Sequence, residues 1–212
     1  MARLPPPPFV YPILDLALLH GRRVEDVASA LAAGGARLLQ VRGKDVGDGD
    51  LLEAVRRAHG VARAHGMALI VNDRPDVALL AGADGVHVGQ DDLPPAACRR
   101  LLGDAALVGT STHTLEQLRE AAGHPVDYIA VGPVFATATK GDAEPVVGTA
   151  LLRAGRALTR TPLVAIGGLS PANAAEAVEA GADGVAVIAA VMGGGDVAAR
   201  TRALRAALEH AS

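Results

Sequence analysis

Short apolar runs recur at a steady interval along the chain, and between them apolar residues return with the spacing of one helix face. Eight runs have the length and β-branched content of buried strands: Tyr11–Leu16, Leu38–Arg42, Ala68–Asn72, Gly85–Val88, Leu107–Thr110, Tyr128–Val131, Leu163–Ile166 and Gly184–Val187. Helical spacing is clearest in Val24–Ala33, Leu51–His65, Leu115–Ala122, Leu151–Leu158 and Ala174–Ala180. Because strand and helix alternate eight times, the pattern predicts an α/β fold, a single closed (β/α)8 TIM barrel.

An internal repeat supports this arrangement. The segment Ala81–Val88 has the sequence Ala-Gly-Ala-Asp-Gly-Val-His-Val, and Ala180–Val187 repeats it with Ala in place of His. Each copy ends a predicted helix at a glycine and turns directly into a strand. Asp84 and Asp183 should therefore lie at the N-terminal ends of strands four and eight, where side chains stabilise a barrel and take no part in its chemistry.

Composition narrows the function classes. Half of the residues are hydrophobic, yet aromatic residues make up 2% and Trp is absent, so Ala, Val, Leu and Ile must fill the core. A net charge of −3 argues against a broad surface for nucleic acid or anionic membrane. Cys98, the one cysteine, falls in a predicted helix and excludes an internal disulfide and a Cys-based zinc site. We expect a soluble cytoplasmic protein with small-molecule partners, and a homo-oligomer is left open.

The N-terminal residues differ in composition from the rest of the chain. Pro5–Pro8 form an uninterrupted proline run, and no linker-like shift occurs after it. No stretch of 18 apolar residues is free of charge and glycine, so no membrane span is expected. We therefore predict a Pro-rich arm over residues 1–10 and one catalytic barrel domain over residues 11–212.

Basic residues follow the second predicted strand, at the end where active sites of parallel barrels lie. Alternation along the strand puts Gln40 and Arg42 on the same face, and Lys44 can follow them into the opening. Two cations directed inward are costly to desolvate without an anion. A phosphate or a diphosphate is therefore the expected partner of Arg42 and Lys44.

Acidic residues follow strands three and four. Asp73 comes directly after Asn72, and Asp92 follows the end of strand four, so the two carboxylates should lie on neighbouring strand ends. Mg²⁺ usually takes one or two carboxylates and completes its octahedron with water and phosphate oxygens. The pattern therefore indicates a magnesium site. Two alternatives stay open: Asp73 could cap the helix that begins near Pro75, and Asp91 competes with Asp92.

Hydroxyl and imidazole groups lie near the ends of strands four and five. Ser111 could donate a hydrogen bond to a ligand oxygen, whereas Thr112 and Thr114 are both candidates for a helix N-cap. His87 and His113 are candidates for acid–base chemistry, but histidines at such positions are more often held in structural hydrogen bonds. We assign neither a catalytic role.

Two further segments have the composition of phosphate sites. After strand six, two hydroxyls and an ammonium group stand in a glycine-rich loop, at Thr137, Thr139 and Lys140. After strand seven, Gly167 and Gly168 allow close approach of the backbone, and a short helix beginning near Ile188 would direct N–H groups at an anion. Ile188 follows strand eight, and the loops after strands seven and eight of such barrels commonly bind phosphate.

These motifs together resemble the thiamine-phosphate synthase family, from Tyr11 to about Asp196. The matching segments are Gln40–Lys44, Val71–Asp73, Ala83–Asp92, Ser111–Thr114, Gly132–Lys140 and Ala165–Gly168, in the family's order. The resemblance implies that a pyrimidinylmethyl diphosphate condenses with a thiazole phosphate, plain or carboxylated, to give thiamine phosphate and diphosphate. It also implies Mg²⁺ as the cofactor.

The resemblance assigns roles to individual residues. Residues implied to hold the pyrimidine diphosphate are Gln40, Arg42, Lys44, Asn72 and Lys140, with Ser111 on the pyrimidine. Residues implied to hold the thiazole phosphate are Thr137, Thr139, Gly168, Ile188 and Ala189, and Asp73 and Asp92 would hold the metal. Arg42, Lys44, Lys140 and Ser111 form the implied catalytic set.

The chain departs from the family at two positions. Gly43 stands where the family usually has Glu, and Ala189 stands where Ser is expected. Two other functions stay open. One is a thiazole tautomerase with the same barrel, which would need neither a diphosphate site nor a metal. The other is a barrel that binds thiazole phosphate without catalysis.

Overall fold

The computed structural model describes residues 3–137 and 145–209 of the chain. Eight parallel strands form a closed barrel in sequence order, and the eighth strand pairs with the first. The strands are β1 (Phe9–Asp15), β2 (Leu38–Arg42), β3 (Ala68–Asn72), β4 (Gly85–Val88), β5 (Leu107–Thr112), β6 (Tyr128–Val131), β7 (Leu163–Ile166) and β8 (Gly184–Val187). The predicted (β/α)8 barrel is confirmed.

Six strands have the predicted bounds, and two differ. β1 begins at Phe9, because Phe9 to Pro12 pair with Gly184 to Val187 of β8. β5 continues to Thr112, two residues beyond its predicted end, because Ser111 and Thr112 pair with Ala130 and Val131 of β6. Ser111 therefore belongs to the barrel wall and not to the loop that follows.

Helices surround the barrel. They are α1 (Val24–Ala33), α2 (Asp48–Ala64), α3 (Pro75–Ala81), α4 (Pro95–Leu102), α5 (Leu115–Ala121), α6 (Gly148–Leu158), α7 (Ala174–Glu179), α8 (Ala189–Met192) and α9 (Val197–Glu209). α4 buries Cys98 completely, as expected of a small apolar residue. The short helix expected near Ile188 is α8, whose N-cap is Ile188. Over the described ranges, no helix has the length and hydropathy needed to cross a bilayer.

The N-terminal end of the barrel carries aspartates at three strand starts. Asp84, Asp127 and Asp183 immediately precede β4, β6 and β8. Each carboxylate accepts a backbone N–H from the preceding strand, at 2.7 to 2.8 Å, from Leu69, Val108 and Leu163 respectively. The structural role predicted for Asp84 and Asp183 is confirmed, and Asp127 extends the pattern to alternate strands.

The proline-rich segment lies at this same end. Arg3, Pro5 and Pro6 line a cavity of about 540 Å³ together with residues that include Arg37 and Asp84. The segment runs straight into β1 at Phe9. Its description as an arm separate from the barrel domain stays a prediction.

Candidate active site

Asp15 and Arg42 form an ion pair at the C-terminal end of the barrel. They are the last residues of β1 and β2 and face each other in register. An Arg42 guanidinium N–H donates to Asp15 Oδ2, and the other carboxylate oxygen accepts the backbone N–H of Ala17 at 3.1 Å. Asp15 is 4% exposed. The buried carboxylate of Asp15 therefore fixes Arg42, which the sequence predicted to bind an anion. The role of Asp15 was not predicted from the sequence.

Asp73 lies between a cation and a second carboxylate. Lys44 Nζ is 3.7 Å from Asp73 Oδ2, and the lysine side chain is 60% exposed. Burial, then the hydrogen-bonding contact and the negative charge of Asp92, raise the pKa of Asp73 to about 6, against the lowering effect of Lys44 and Arg42. The two predicted metal ligands are thus brought together.

The backbone around Asp73 is held in an unusual conformation. Asp73 has a φ of 62°, in the left-handed region that few residues other than glycine adopt. Its N–H donates to the carbonyl of His87 at 2.8 Å. The N-cap of α3 is Arg74, without a side-chain capping bond, so the alternative in which Asp73 caps this helix is wrong. The left-handed turn instead directs its carboxylate towards Asp92.

The structure distinguishes Asp92 from Asp91, the alternative candidate for the metal ligand. Asp92 is half-buried, and its Oδ2 accepts the N–H of Gly89 at 2.7 Å, which fixes the carboxylate beside Asp73. Asp91 is exposed. In the described part of the chain, no group of three or more His, Cys, Asp or Glu side chains is placed to hold a metal. A site here would rest on two carboxylates, which is sufficient for Mg²⁺ when substrate oxygens complete the shell.

A buried chain of hydrogen bonds crosses the barrel below this opening. Gln40 Nε2 donates to the Tyr11 hydroxyl at 2.9 Å, and the Tyr11 and Tyr128 hydroxyls are 2.8 Å apart. The Tyr128 hydroxyl is 3.0 Å from His87 Nδ1, and His87 Nε2 is 2.8 Å from Ser111 Oγ. Two predicted substrate contacts, Gln40 and Ser111, are therefore connected through residues that sequence reasoning did not group with them.

The remaining candidates near strand five have structural roles. His113 Nδ1 donates to the carbonyl of Gly132 at 2.6 Å, because a carbonyl oxygen can only accept. Thr114 is the N-cap of α5, and its hydroxyl accepts the N–H of Gln117 at 3.2 Å. Thr112 is fully buried and donates to the carbonyl of Ala130. Of the two candidate caps, Thr114 is the one used.

The loops after β6 and β7 are joined by backbone hydrogen bonds. Val134 donates to the carbonyl of Ile166, and Phe135 donates to that of Gly167. Gly167 and Gly168 have φ of 97° and 65°, and a Cβ on Gly168 would meet the backbone of Phe135 and Ala136. Glycine at position 168 is thus required by the packing of the two loops, apart from any approach by a ligand.

The strand-seven loop has a further support. Asn173 Nδ2 donates to the carbonyl of Gly168 at 3.0 Å, and Asn173 Oδ1 accepts the N–H of Ser170 at 2.8 Å. The side chain therefore closes the turn that presents Gly168. Thr137 is half-buried in the strand-six loop, whereas Thr139 and Lys140 lie outside the described residues.

The two departures from the family pattern lie in different surroundings. A Cβ on Gly43 would be 2.9 Å from Leu16 Cδ1 and 3.2 Å from Leu51 Cδ1, so a larger residue here must displace apolar side chains. Ala189 is exposed at the first residue of α8, where a serine hydroxyl would fit.

Fold and site together define a class of protein. A closed parallel barrel that gathers two cations, three carboxylates and joined glycine-rich loops at the C-terminal ends of its strands is built as an enzyme for phosphorylated small molecules.

Comparison with known proteins identifies the family. The family model described as thiamine monophosphate synthase matches residues 10–191. The thiamine-phosphate synthase of Chloroflexus aurantiacus is 46% identical over 93% of this chain and 91% of its own length. The thiamine-phosphate synthase of Methanoculleus marisnigri is 46% identical over 92% of this chain and 93% of its own length. The solved thiamine phosphate pyrophosphorylase of Pyrococcus furiosus superposes with a TM-score of 0.86, at 36% identity over 96% of both chains.

The chain belongs to the thiamine monophosphate synthase family. It is a transferase of thiamine biosynthesis, which joins a pyrimidine and a thiazole moiety into thiamine phosphate.

Proposed function

We propose that the enzyme transfers the pyrimidinylmethyl group of 4-amino-2-methyl-5-pyrimidinylmethyl diphosphate to 4-methyl-5-(2-phosphoethyl)thiazole by dissociative loss of diphosphate. The C–O bond breaks first, and its electron pair leaves with the diphosphate. The amino group of the ring delocalises the resulting cation, and the thiazole nitrogen then donates its lone pair to the methylene carbon. Such a reaction needs charge stabilisation and positioning, with no covalent nucleophile.

The observation that carries this proposal is the facing pair Asp73 and Asp92 beside Arg42 and Lys44. Two carboxylates in contact repel each other, and burial together with this contact raises the pKa of Asp73. A hard divalent cation between them would remove it, so the donor set fits Mg²⁺. When bound, the metal would neutralise charge on the departing diphosphate. Arg42, held by Asp15, and Lys44 would stabilise the same charge from the β2 side.

The pyrimidine is proposed to lie at the centre of the opening. Asn72 ends β3, and Ser111 lies on β5 with its hydroxyl bonded to His87. Gln40 is 2% exposed and its amide nitrogen bonds Tyr11, so it would contact the substrate from below. These three side chains would fix the orientation of the ring relative to the thiazole.

The thiazole phosphate is proposed to lie over the loops after β6, β7 and β8. The turn at Gly168 and the start of α8 at Ile188 and Ala189 present backbone N–H groups, which suit a phosphate. Thr137 would contribute from the strand-six loop. Thr139 and Lys140 are proposed from sequence alone, the latter on the diphosphate.

The carboxylate pair also discriminates against the alternatives. A tautomerase or a barrel that only binds thiazole phosphate has no diphosphate to release, so it would gain nothing from two acids held in contact. The relatives that match nearly the whole chain are synthases by name.

The direct experiment incubates the purified protein with both substrates, with and without Mg²⁺, and measures thiamine phosphate and diphosphate. We expect equal amounts of the two products, formed only with both substrates and Mg²⁺. Rearranged thiazole phosphate without thiamine phosphate would identify a tautomerase instead, and binding without either product would indicate a non-catalytic barrel.

A further inference from the structure

Both tyrosines of the chain lie inside the barrel and touch each other. Tyr11 is 1% exposed and Tyr128 is fully buried, and their rings meet edge to face with centroids 5.7 Å apart. The Tyr128 ring also stacks on His87 at 5.4 Å with an interplanar angle of 20°. In a chain with 2% aromatic residues, both tyrosines thus belong to one buried group with His87.

The wall of the barrel is shaped to accept this stack. His87, Gly109 and Tyr128 are register partners on the neighbouring strands β4, β5 and β6. A Cβ on Gly109 would collide with the Tyr128 ring. The absence of a side chain at the middle position therefore lets the Tyr128 ring reach across β5 onto His87.

One direction of donation satisfies every hydrogen bond of this group. The Gln40 amide nitrogen can only donate, so the Tyr11 oxygen accepts from it and the Tyr11 proton is available to Tyr128. In this direction the Tyr128 proton goes to His87 Nδ1, and the imidazole proton is on Nε2, directed at Ser111. Burial raises the pKa of both phenols above the ordinary value, so each keeps the proton that it donates.

We propose that Tyr11, Tyr128 and His87 are positioning residues that hold Ser111 as a hydrogen-bond donor to the substrate. Because Ser111 Oγ accepts from His87 Nε2, its own proton is directed to an acceptor outside this group, either a ring nitrogen or a diphosphate oxygen. The same hydrogen bonds fix Gln40 across the barrel. The proposal rests on the proposed function, in which Gln40 and Ser111 contact the pyrimidine substrate.

The tautomer of His87 can be measured without any substrate, and it tests the direction of these hydrogen bonds. ¹⁵N NMR of labelled, ligand-free protein distinguishes the two imidazole tautomers, and the signals that disappear in His87→Gln identify His87 among the 7 histidines. We expect the proton on Nε2 in the parent. In Tyr128→Phe, Nδ1 loses its donor, so the signals should move towards a mixture of tautomers. A parent proton on Nδ1 would reverse the direction and overturn the proposal.

Kinetics test the positioning role. We expect Tyr128→Phe to lower kcat about tenfold, with a smaller loss for Tyr11→Phe and an unchanged KM for thiazole phosphate. Thr201→Val is the matched control, because it removes a fully buried hydroxyl from α9, far from the site. A folded Tyr128→Phe protein whose kcat stays within about twofold of the parent would contradict the proposal. If the parent makes no thiamine phosphate, the proposed function fails, while the tautomer measurement still decides the direction.

Discussion

The two ends of the barrel use the same side chain in opposite ways. At the N-terminal end, Asp127 and Asp183 each accept a backbone N–H and pair with an arginine, at 2.7 and 2.8 Å. At the C-terminal end, Asp73 faces another carboxylate, Asp92, and burial together with this neighbour raises the pKa of Asp73 to about 6. The N-terminal end pairs these carboxylates with arginines, whereas the C-terminal end holds two carboxylates, Asp73 and Asp92, against each other. Such a contact between like charges is expected where an external cation completes the site.

The backbone conformation of the aspartates also differs between the two ends of the barrel. The aspartates at the N-terminal end sit in short turns that lead from a helix into a strand. Asp73 instead has a left-handed backbone, which costs about 1 kcal/mol or more for a residue other than glycine. A conformation of this kind persists only where the surroundings hold it, here through the bond from its N–H to the carbonyl of His87.

The largest expected effect comes from removing a carboxylate at the C-terminal end. Asp92→Ala should lower Mg²⁺-dependent turnover by ~10²–10³, because the charge of the leaving diphosphate would lose its counter-charge. Calorimetry should show thiazole phosphate binding largely intact. Asp91→Ala is the matched control, since it removes an exposed acid one residue away. If Asp91→Ala were the damaging change, the assignment of Asp92 would be wrong.

The opposite outcome is expected at the N-terminal end. Asp183→Ala should lower the free energy of unfolding by about 2 kcal/mol, because the N–H of Leu163 and the guanidinium of Arg156 lose a charged acceptor. Per-molecule turnover at a temperature well below the transition should change little. Asp104→Ala, an exposed acid at the same end, should leave the denaturant midpoint almost unmoved. A large loss of turnover in folded Asp183→Ala protein would remove the distinction between the two ends.

A smaller effect, of opposite sign, is expected for Asp73→Asn in metal-free protein. The pKa of Asp73 in the folded protein is about 6, above the ordinary value of 3.8. The ionised Asp73 carboxylate of the parent protein therefore costs stability above about pH 6. Asn should therefore stabilise the protein by about 1 kcal/mol at pH 7.5, after allowance for solvent screening. This advantage should shrink as pH falls from 6 towards 4. Urea unfolding with EDTA at several pH values checks it, and a variant that is less stable at pH 7.5 would contradict it.

The smallest effect concerns a position where the chain departs from the family. Ala189 is exposed at the start of α8, so Ala189→Ser adds a hydroxyl to the proposed phosphate site, in which we expect backbone N–H groups to be the main donors. A neutral hydrogen bond contributes about 0.5–1.5 kcal/mol, so thiazole phosphate affinity should rise by no more than roughly tenfold. A gain far above tenfold in a calorimetric titration would mean that side-chain hydroxyls, and not the backbone, dominate this phosphate site.

Much of the barrel could be predicted because its signals are local. Six strands have their predicted bounds, since runs of Val, Ile and Leu flanked by glycine or charge mark buried strands. The polar residues at the strand ends could also be predicted, because each lies at the end of its strand or shortly after it in the sequence. The pairing of Asp15 with Arg42 could not, because it depends on the register between β1 and β2. Spacing likewise could not separate Asp91 from Asp92, whose orientation is fixed by the N–H of Gly89.

The hydrogen bonds through the tyrosines were the least accessible from sequence. Tyr11 and Tyr128 are 117 residues apart and meet only because the barrel closes. One signal was present in the internal repeat, where His87 occupies the position that Ala186 has in the second copy. A polar residue at a position that the repeat shows to be buried needs a partner inside the fold. Comparing the two copies position by position would have singled out His87.

The central claim is that Asp73 and Asp92 form a cation site for a diphosphate. Calorimetric titration of inorganic diphosphate into the protein, with and without Mg²⁺, tests it most directly. In the parent, Mg²⁺ should tighten diphosphate binding by about tenfold or more, as expected for two ligands coupled at one site. In Asp73→Asn this enhancement should disappear, while the Mg²⁺-independent affinity contributed by Arg42 and Lys44 remains. Equal affinity with and without Mg²⁺ in the parent, or an enhancement that persists in Asp73→Asn, would contradict the account.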